Sequence, residues 1–175
     1  MKYKHLFFDL DRTLWDFEKN SHETLLELCN KYKLKEKGIL DYEDFIKKYK
    51  NHNNKLWDLY RINKISQKDL RRERFQLTLA DFGINDFFLS EKIGEEYIEQ
   101  CPKKNQLFPF TLEVLNYLFD KYSLHIITNG FHKTQHTKLE YSALRSYFIK
   151  IITSEKIGVK KPDTRIFEYA LDIAG

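Results

Sequence analysis

The chain is poor in the residues that staple, anchor or export a protein. Only two of its 175 residues are cysteine. Cys29 and Cys101 stand too far apart for a disulfide framework or a metal knuckle, so both are expected to be reduced thiols. No apolar run approaches the roughly 20 residues that a membrane helix needs, so a membrane is not an expected partner. The opening MKYKHLFFDLD has neither the apolar core nor the small-residue cleavage site of a secretory signal, which makes the cytoplasm the expected compartment. Internal repeats and low-complexity linkers are missing too. So is a dominant charge: 30 basic and 26 acidic side chains are mixed along the chain, for a net charge of +4. The densest basic stretch, KDLRRERF (Lys68 to Phe75), includes Asp69 and Glu73 at helical spacing. It reads as a solvated helix face rather than a nucleic-acid interface, and no nucleic-acid partner is expected. The balance adds only a gentle attraction for anionic substrates.

What is present is enough length for one well-buried domain, or for a small core carrying an inserted second one. Aromatic residues reach 15%, and they fall mostly at helix or strand periodicity, as core residues do. Residues 4 to 8 read as a short buried strand. From about 18 to 100 the pattern is helical throughout. Asn20 with Glu23 resembles a cap, Asp41 with Asp44 opens a second helix, and Ser66 with Asp69 opens a third that runs to about Phe82 and stops at Gly83. Ser90 is the expected start of a fourth, ending before Pro102. After Pro109 the style changes. Leu112, Leu115, Leu118 and Phe119 line a helix, LHIIT (Leu124 to Thr128) reads as a strand, a helix is expected over Lys133 to Leu144, and IKIIT (Ile149 to Thr153) is another strand. A last helix after Pro162 carries Ile166, Phe167, Ala170 and Leu171. Strand, crossover helix, strand is the grammar of a parallel sheet. The expected fold is therefore α/β, a doubly wound parallel-sheet core made of residues 1–16 and 106–175, with residues 17–105 inserted as an all-α cap over the carboxyl ends of the strands.

Ligands of open parallel sheets bind at those strand ends, where the polar residues converge. Strand one delivers Asp9, Asp11 and Thr13, strand two Thr128 and Asn129, and the loop after strand three Lys160 and Lys161. Each has a bland alternative as a turn cap, a strand end or a solvated loop lysine, but their joint placement on three successive strand ends points to one crevice. The chemistry agrees. A carboxylate can attack phosphorus and form an aspartyl phosphate, and a second carboxyl can protonate the departing alkoxide and then activate water. The phosphoryl oxygens need a lysine, a hydroxyl and a hard cation such as Mg²⁺. Alternation along an extended chain points both side chains of D-x-D the same way. The apolar run before Asp9 is then expected to be a central strand holding a nucleophile and its acid/base partner.

FFDLDRTL (Phe7 to Leu14), IITNG (Ile126 to Gly130) and GVKKPD (Gly158 to Asp163) resemble, in order, the first three motifs of the haloacid dehalogenase superfamily of phosphotransferases, and the stretch from Asn129 to Phe167 is similar to it along nearly its whole length. The resemblance implies an HAD-like, Rossmannoid core with a helical cap. It implies Asp9 as nucleophile and Mg²⁺ ligand, Asp11 as general acid/base with its backbone carbonyl on the metal, and Thr128, Asn129 and Lys161 on the phosphoryl group. Lys161 is preferred to Lys160 because it stands directly before the proline. Asp11 argues against a true dehalogenase, which has no alkoxide to protonate.

DLDRTLWDFEKNS and TNGF look most like the pyrimidine 5'-nucleotidase branch, whose expected substrate is a small phosphate ester, a pyrimidine nucleoside 5'-monophosphate. Most superfamily members have glycine where this chain has Arg12, and that branch commonly carries a bulky residue; a tolerated surface substitution is the alternative. Trp57 is either a base-stacking residue or core. His132 and His136, at i and i+4, read as solvated helix histidines for want of a third ligand. The fourth motif, an acidic pair after a further strand, has no counterpart before the chain reaches IAG (Ile173 to Gly175). The resemblance therefore makes these residues an amino-terminal piece of such an enzyme, incomplete at the C-terminus, short of two core strands and expected to hold Mg²⁺ poorly. A catalytically inactive fragment or phosphate-binding remnant stays open as the alternative. A receiver-type signalling domain does not, because it accepts phosphate on its third strand and has no long helical insertion after its first.

Overall fold

A computed structural model describes residues 3–175. Met1 and Lys2, with which the expected core segment opens, lie outside the described residues. The chain divides into two compact units, one built from residues 1–20 and 102–175 and the other from Ser21–Cys101.

The first unit holds the sheet. Strands β1 (His5–Phe8), β2 (Ser123–Thr128) and β3 (Lys150–Thr153) run parallel in the order β1-β2-β3. Phe8 pairs with Ile126, and Thr128 with Thr153. β2 is the middle strand, and its residues from Leu124 onward are buried. β1, expected as a buried central strand, is instead a half-buried one with a partner on one side only among the described residues.

Alternation sends Ile127 and Ile152 to one face, where they pack with Ile166 and Ala170 of the helix at Thr164–Ala174 and with half-buried Phe7, Val159 and Ile173. Leu124 and Ile126 point to the opposite face and are also buried, so both faces are covered, as a crossover-connected parallel sheet requires. This is the α/β arrangement expected from the sequence.

Helix α1 (Phe17–Lys31) starts earlier than expected. Asp16 is its cap, with Oδ1 accepting from the Lys19 amide. Asn20, expected as the cap, is fully buried one turn in and ties the Asp16 carbonyl to Gln106.

The helical unit continues through α2 (Tyr42–Arg61), α3 (Gln67–Ala80) and α4 (Phe87–Gln100). Asp41 caps α2, and Ser66 with Asp69 forms a reciprocal capping box on α3, as their spacing predicts. The start of α4 is corrected from Ser90 to Asp86, whose carboxylate accepts from the Leu89 amide. Ser90 sits buried in the first turn, its hydroxyl donating to the Phe87 carbonyl. The core of this unit is aromatic and aliphatic: Phe45, Tyr49, Leu70, Phe75, Leu79 and Ile93 are all at most 1% exposed. Among the described residues Cys29 and Cys101 are buried and stand outside any disulfide, and burial pushes the Cys29 thiol up to about 12.

Returning to the first unit, α5 (Thr111–Phe119), α6 (His132–Tyr141), the single-turn α7 (Ser154–Ile157) and α8 (Thr164–Ala174) connect and flank the strands. No helix of the described residues is long and apolar enough to cross a membrane.

Candidate active site

Directly after β1 the chain folds back on itself. The amides of Thr13, Leu14 and Trp15 all donate to the Leu10 carbonyl, at 3.3, 3.0 and 3.0 Å. Leu10 and Trp15, both fully buried, pin the turn from below. Its outward positions are left to Asp9, Asp11, Arg12 and exposed Thr13. Arg12 closes the turn by donating its amide to the Trp15 carbonyl, and its φ of 62° lies in the left-handed region that glycine occupies at no steric expense. The Arg12 side chain turns away onto Glu18, at 2.8 and 3.1 Å, and over the Phe17 ring.

Asp9 Oδ1 accepts from the Leu10 amide at 2.9 Å and faces the Lys161 ammonium at 3.1 Å. Lys161 is drawn there from the loop after α7. Its Nζ also donates to the Ile127 carbonyl at 2.8 Å, and its backbone is clamped by Asn129. The Asn129 amide nitrogen donates to the Lys161 carbonyl at 3.0 Å, while its oxygen accepts from the Lys161 amide at 2.8 Å. Of the two adjacent lysines, Lys161 is the one that reaches Asp9. Lys160 is half-buried, and burial lowers its pKa.

Asn129, expected on the phosphoryl group, thus uses its side-chain amide to fix Lys161. Thr128 ends β2 with its hydroxyl buried. It accepts from the Gly130 amide at 3.0 Å and stands 3.5 Å from Gln135 Oε1.

Asp11 has partners that sequence reasoning missed. Gln135 Nε2 donates to Asp11 Oδ2 at 2.9 Å, and Lys138 Nζ lies 2.5 Å from Asp11 Oδ1. Both come from α6, three residues apart and so on one helix face. Their signal in the sequence is a stripe. Gln135, Lys138, Leu139 and Ser142 repeat at i, i+3, i+4 and i+7, and all four are buried.

The five expected residues are therefore brought together, Asp9 with Lys161, Lys161 with Asn129, and Asp11 with Thr128 through Gln135. His132 and His136 are half-buried rather than solvated, with ring centroids 4.4 Å apart. Burial depresses both pKa values, and each is lowered further by neighbouring positive charge. Among the described residues no three His, Cys, Asp or Glu side chains form a group that could hold a metal.

A family model described as haloacid dehalogenase-like hydrolase matches residues 6–175. The chain belongs to the haloacid dehalogenase-like hydrolases. It is similar to the pyrimidine 5'-nucleotidase YjjG of Escherichia coli, with 33% identity over 175 residues, all of this chain and 73% of that protein. It is similar also to the pyrimidine 5'-nucleotidase PynA of Streptococcus pneumoniae, with 32% identity covering 96% of this chain and 68% of that one. Among solved structures, the putative haloacid dehalogenase-like hydrolase YfnB of Bacillus subtilis superposes with a TM-score of 0.85 at 26% identity, covering 98% of this chain and 74% of its own. This haloacid dehalogenase-like hydrolase thus shares its fold with YfnB.

Proposed function

We propose that this hydrolase cleaves phosphate monoesters through a phosphorylated Asp9, and that its substrates are nucleoside 5'-monophosphates with a pyrimidine base. The observation that carries the reading is the pairing of two carboxyls on one turn with separate cations, Asp9 with Lys161 and Asp11 with Lys138. One carboxyl is partly open, with 41% of its side chain exposed, and the other is held more deeply, at 27%. That division suits a nucleophile and an acid/base partner.

In this scheme an Asp9 oxygen attacks phosphorus and the phosphorus–ester oxygen bond breaks. The ester oxygen leaves with a proton from Asp11. Asp11, now a carboxylate, takes a proton from water, and the resulting hydroxide attacks the same phosphorus, releasing inorganic phosphate and restoring Asp9. Lys161 and the Thr128 hydroxyl stabilise charge on the phosphoryl oxygens as it builds. Asn129 keeps Lys161 in register by holding its backbone.

The donors fit a hard cation. Asp9 Oδ2 carries no hydrogen bond among the described residues, and Mg²⁺ retains several waters and needs only one or two carboxylates from the protein. The Asp9 carboxylate and the Asp11 backbone carbonyl would hold it. Bound there, Mg²⁺ supplies charge neutralisation on the phosphoryl oxygens. The similar B. subtilis structure is described as bound to magnesium. The pyrimidine preference rests on the two nucleotidase relatives. To the helical unit, expected at residues 17–105, we assign the part of the inserted cap, and to the enzyme a place in the cytoplasm.

The test is phosphate release from uridine and thymidine 5'-monophosphates, their 3' isomers and adenosine 5'-monophosphate, across a Mg²⁺ series and with chelator. Turnover that is Mg²⁺-dependent and favours the pyrimidine 5' esters is expected. Turnover indifferent to chelator, or none on any phosphate ester, contradicts the proposal.

A further inference from the structure

We infer that Gln135 and Lys138 are positioning residues that hold the Asp11 carboxyl in its acid/base orientation, an inference that rests on the phosphatase reading above. A carboxyl on a surface turn normally samples several rotamers. Asp11 has both oxygens engaged, Oδ2 by Gln135 Nε2 and Oδ1 by Lys138 Nζ. Neither partner is a surface side chain. Gln135 is 1% exposed and Lys138 4%, so packing keeps both donors from swinging out into solvent.

Lys138 is fixed from other sides as well. Its ammonium sits 4.2 Å from the centroid of the Trp15 ring and 5.6 Å from that of Phe17. Trp15 is itself fully buried, with its indole N–H donating to the Lys104 carbonyl at 3.1 Å. The Gln135 side chain fills the space that a Cβ at Gly130 would take, and its Oε1 stands 3.5 Å from the Thr128 hydroxyl. One α6 face therefore links the acid/base carboxyl to the end of β2, where the phosphoryl group is proposed to sit.

A purely structural ion pair would make the same contacts, so the two roles must be separated by chemistry. Protonation by Asp11 matters when the leaving group is a poor one, such as the 5'-alkoxide of a nucleoside. It matters little for 2,4-dinitrophenolate, which departs unprotonated. The parameter to read is kcat/KM, which covers steps through departure of the leaving group and is blind to the later attack of water.

The experiment compares kcat/KM for uridine 5'-monophosphate and for 2,4-dinitrophenyl phosphate in the wild-type chain and in Lys138→Met, Lys138→Arg and Gln135→Leu. The ratio of the two values within one preparation does not depend on the fraction that is folded. The nucleotide value is expected to fall about 10- to 100-fold in Lys138→Met and Gln135→Leu, the scale of a misoriented catalytic group. The dinitrophenyl value should hold within about threefold, because it draws little on general acid catalysis. Lys138→Arg should recover most of the ratio. An unchanged ratio in all three variants overturns the inference while leaving the phosphatase reading intact. A wild-type chain inert toward both esters overturns that reading and the inference with it.

Discussion

Gln135 rests on Gly130 so closely that a Cβ at position 130 would lie 2.1 Å from Gln135 Nε2 and 2.9 Å from its Cγ. A side chain at position 130 would therefore have to displace the Gln135 amide. The backbone there is ordinary, since Gly130 is not among the residues with positive φ. Gly130→Ala should push Gln135 off Asp11 and destabilise the chain by about 1–3 kcal/mol, as overpacking does, read from urea unfolding. Adding Gln135→Ala should return part of that loss, because the clash disappears with the longer side chain. Strictly additive effects would show that the two residues do not press on each other.

The clamp between Asn129 and Lys161 predicts a second loss. Asn129→Ala removes two hydrogen bonds to backbone groups of the lysine loop. It should destabilise the fold by about 1–3 kcal/mol and weaken inorganic phosphate binding measured calorimetrically, since Lys161 would lose its register. Asn129→Asp keeps only the acceptor and should fall between. Wild-type stability in Asn129→Ala would show the clamp to be incidental.

Acid sensitivity is expected at His125. Its ring is buried in the sheet, stacked on Phe7 at 4.9 Å, with Nε2 3.1 Å from His5 Nδ1. Burial, then the charges of His5 and Lys150, pushes its pKa below the ordinary 6.5. Above that value the imidazole is neutral in both folded and unfolded chains and contributes no pH dependence. As pH falls through it, the unfolded chain takes up a proton that the folded chain resists, so stability declines until the folded pKa is passed. His125→Phe, which keeps the stack on Phe7, should flatten the fall in unfolding midpoint between about pH 7 and 5. An unchanged slope would place the acid sensitivity elsewhere.

Much of this was legible in the sequence because it was written in local chemistry. Asp41 and the Ser66–Asp69 box start their helices where side-chain oxygens can meet free amides, and the β-branched run before Thr128 alternates onto two buried faces. Where two caps competed, spacing alone chose badly. Asp86 displaced Ser90 because a carboxylate was available one turn earlier, and Asp16 displaced Asn20, which is needed inside to hold Gln106. The site divided in the same way. Asp9, Asp11, Thr128, Asn129 and Lys161 stand at strand ends, where position alone exposes them. Gln135 and Lys138 escaped notice because polar side chains on the inward stripe of α6 erase the apolar pattern by which such stripes are recognised. Only the fold shows that both reach Asp11.

The central claim, that Asp9 is the group that accepts phosphate, is tested most directly by quenching the enzyme in acid during turnover of uridine 5'-monophosphate with Mg²⁺. Mass spectrometry then reads the peptide that contains Phe7 to Phe17. The account predicts the mass of one phosphoryl group on Asp9 in the wild-type chain, with neither label nor turnover in Asp9→Asn. A phosphoryl group found on any other residue, or turnover retained by Asp9→Asn, would contradict it.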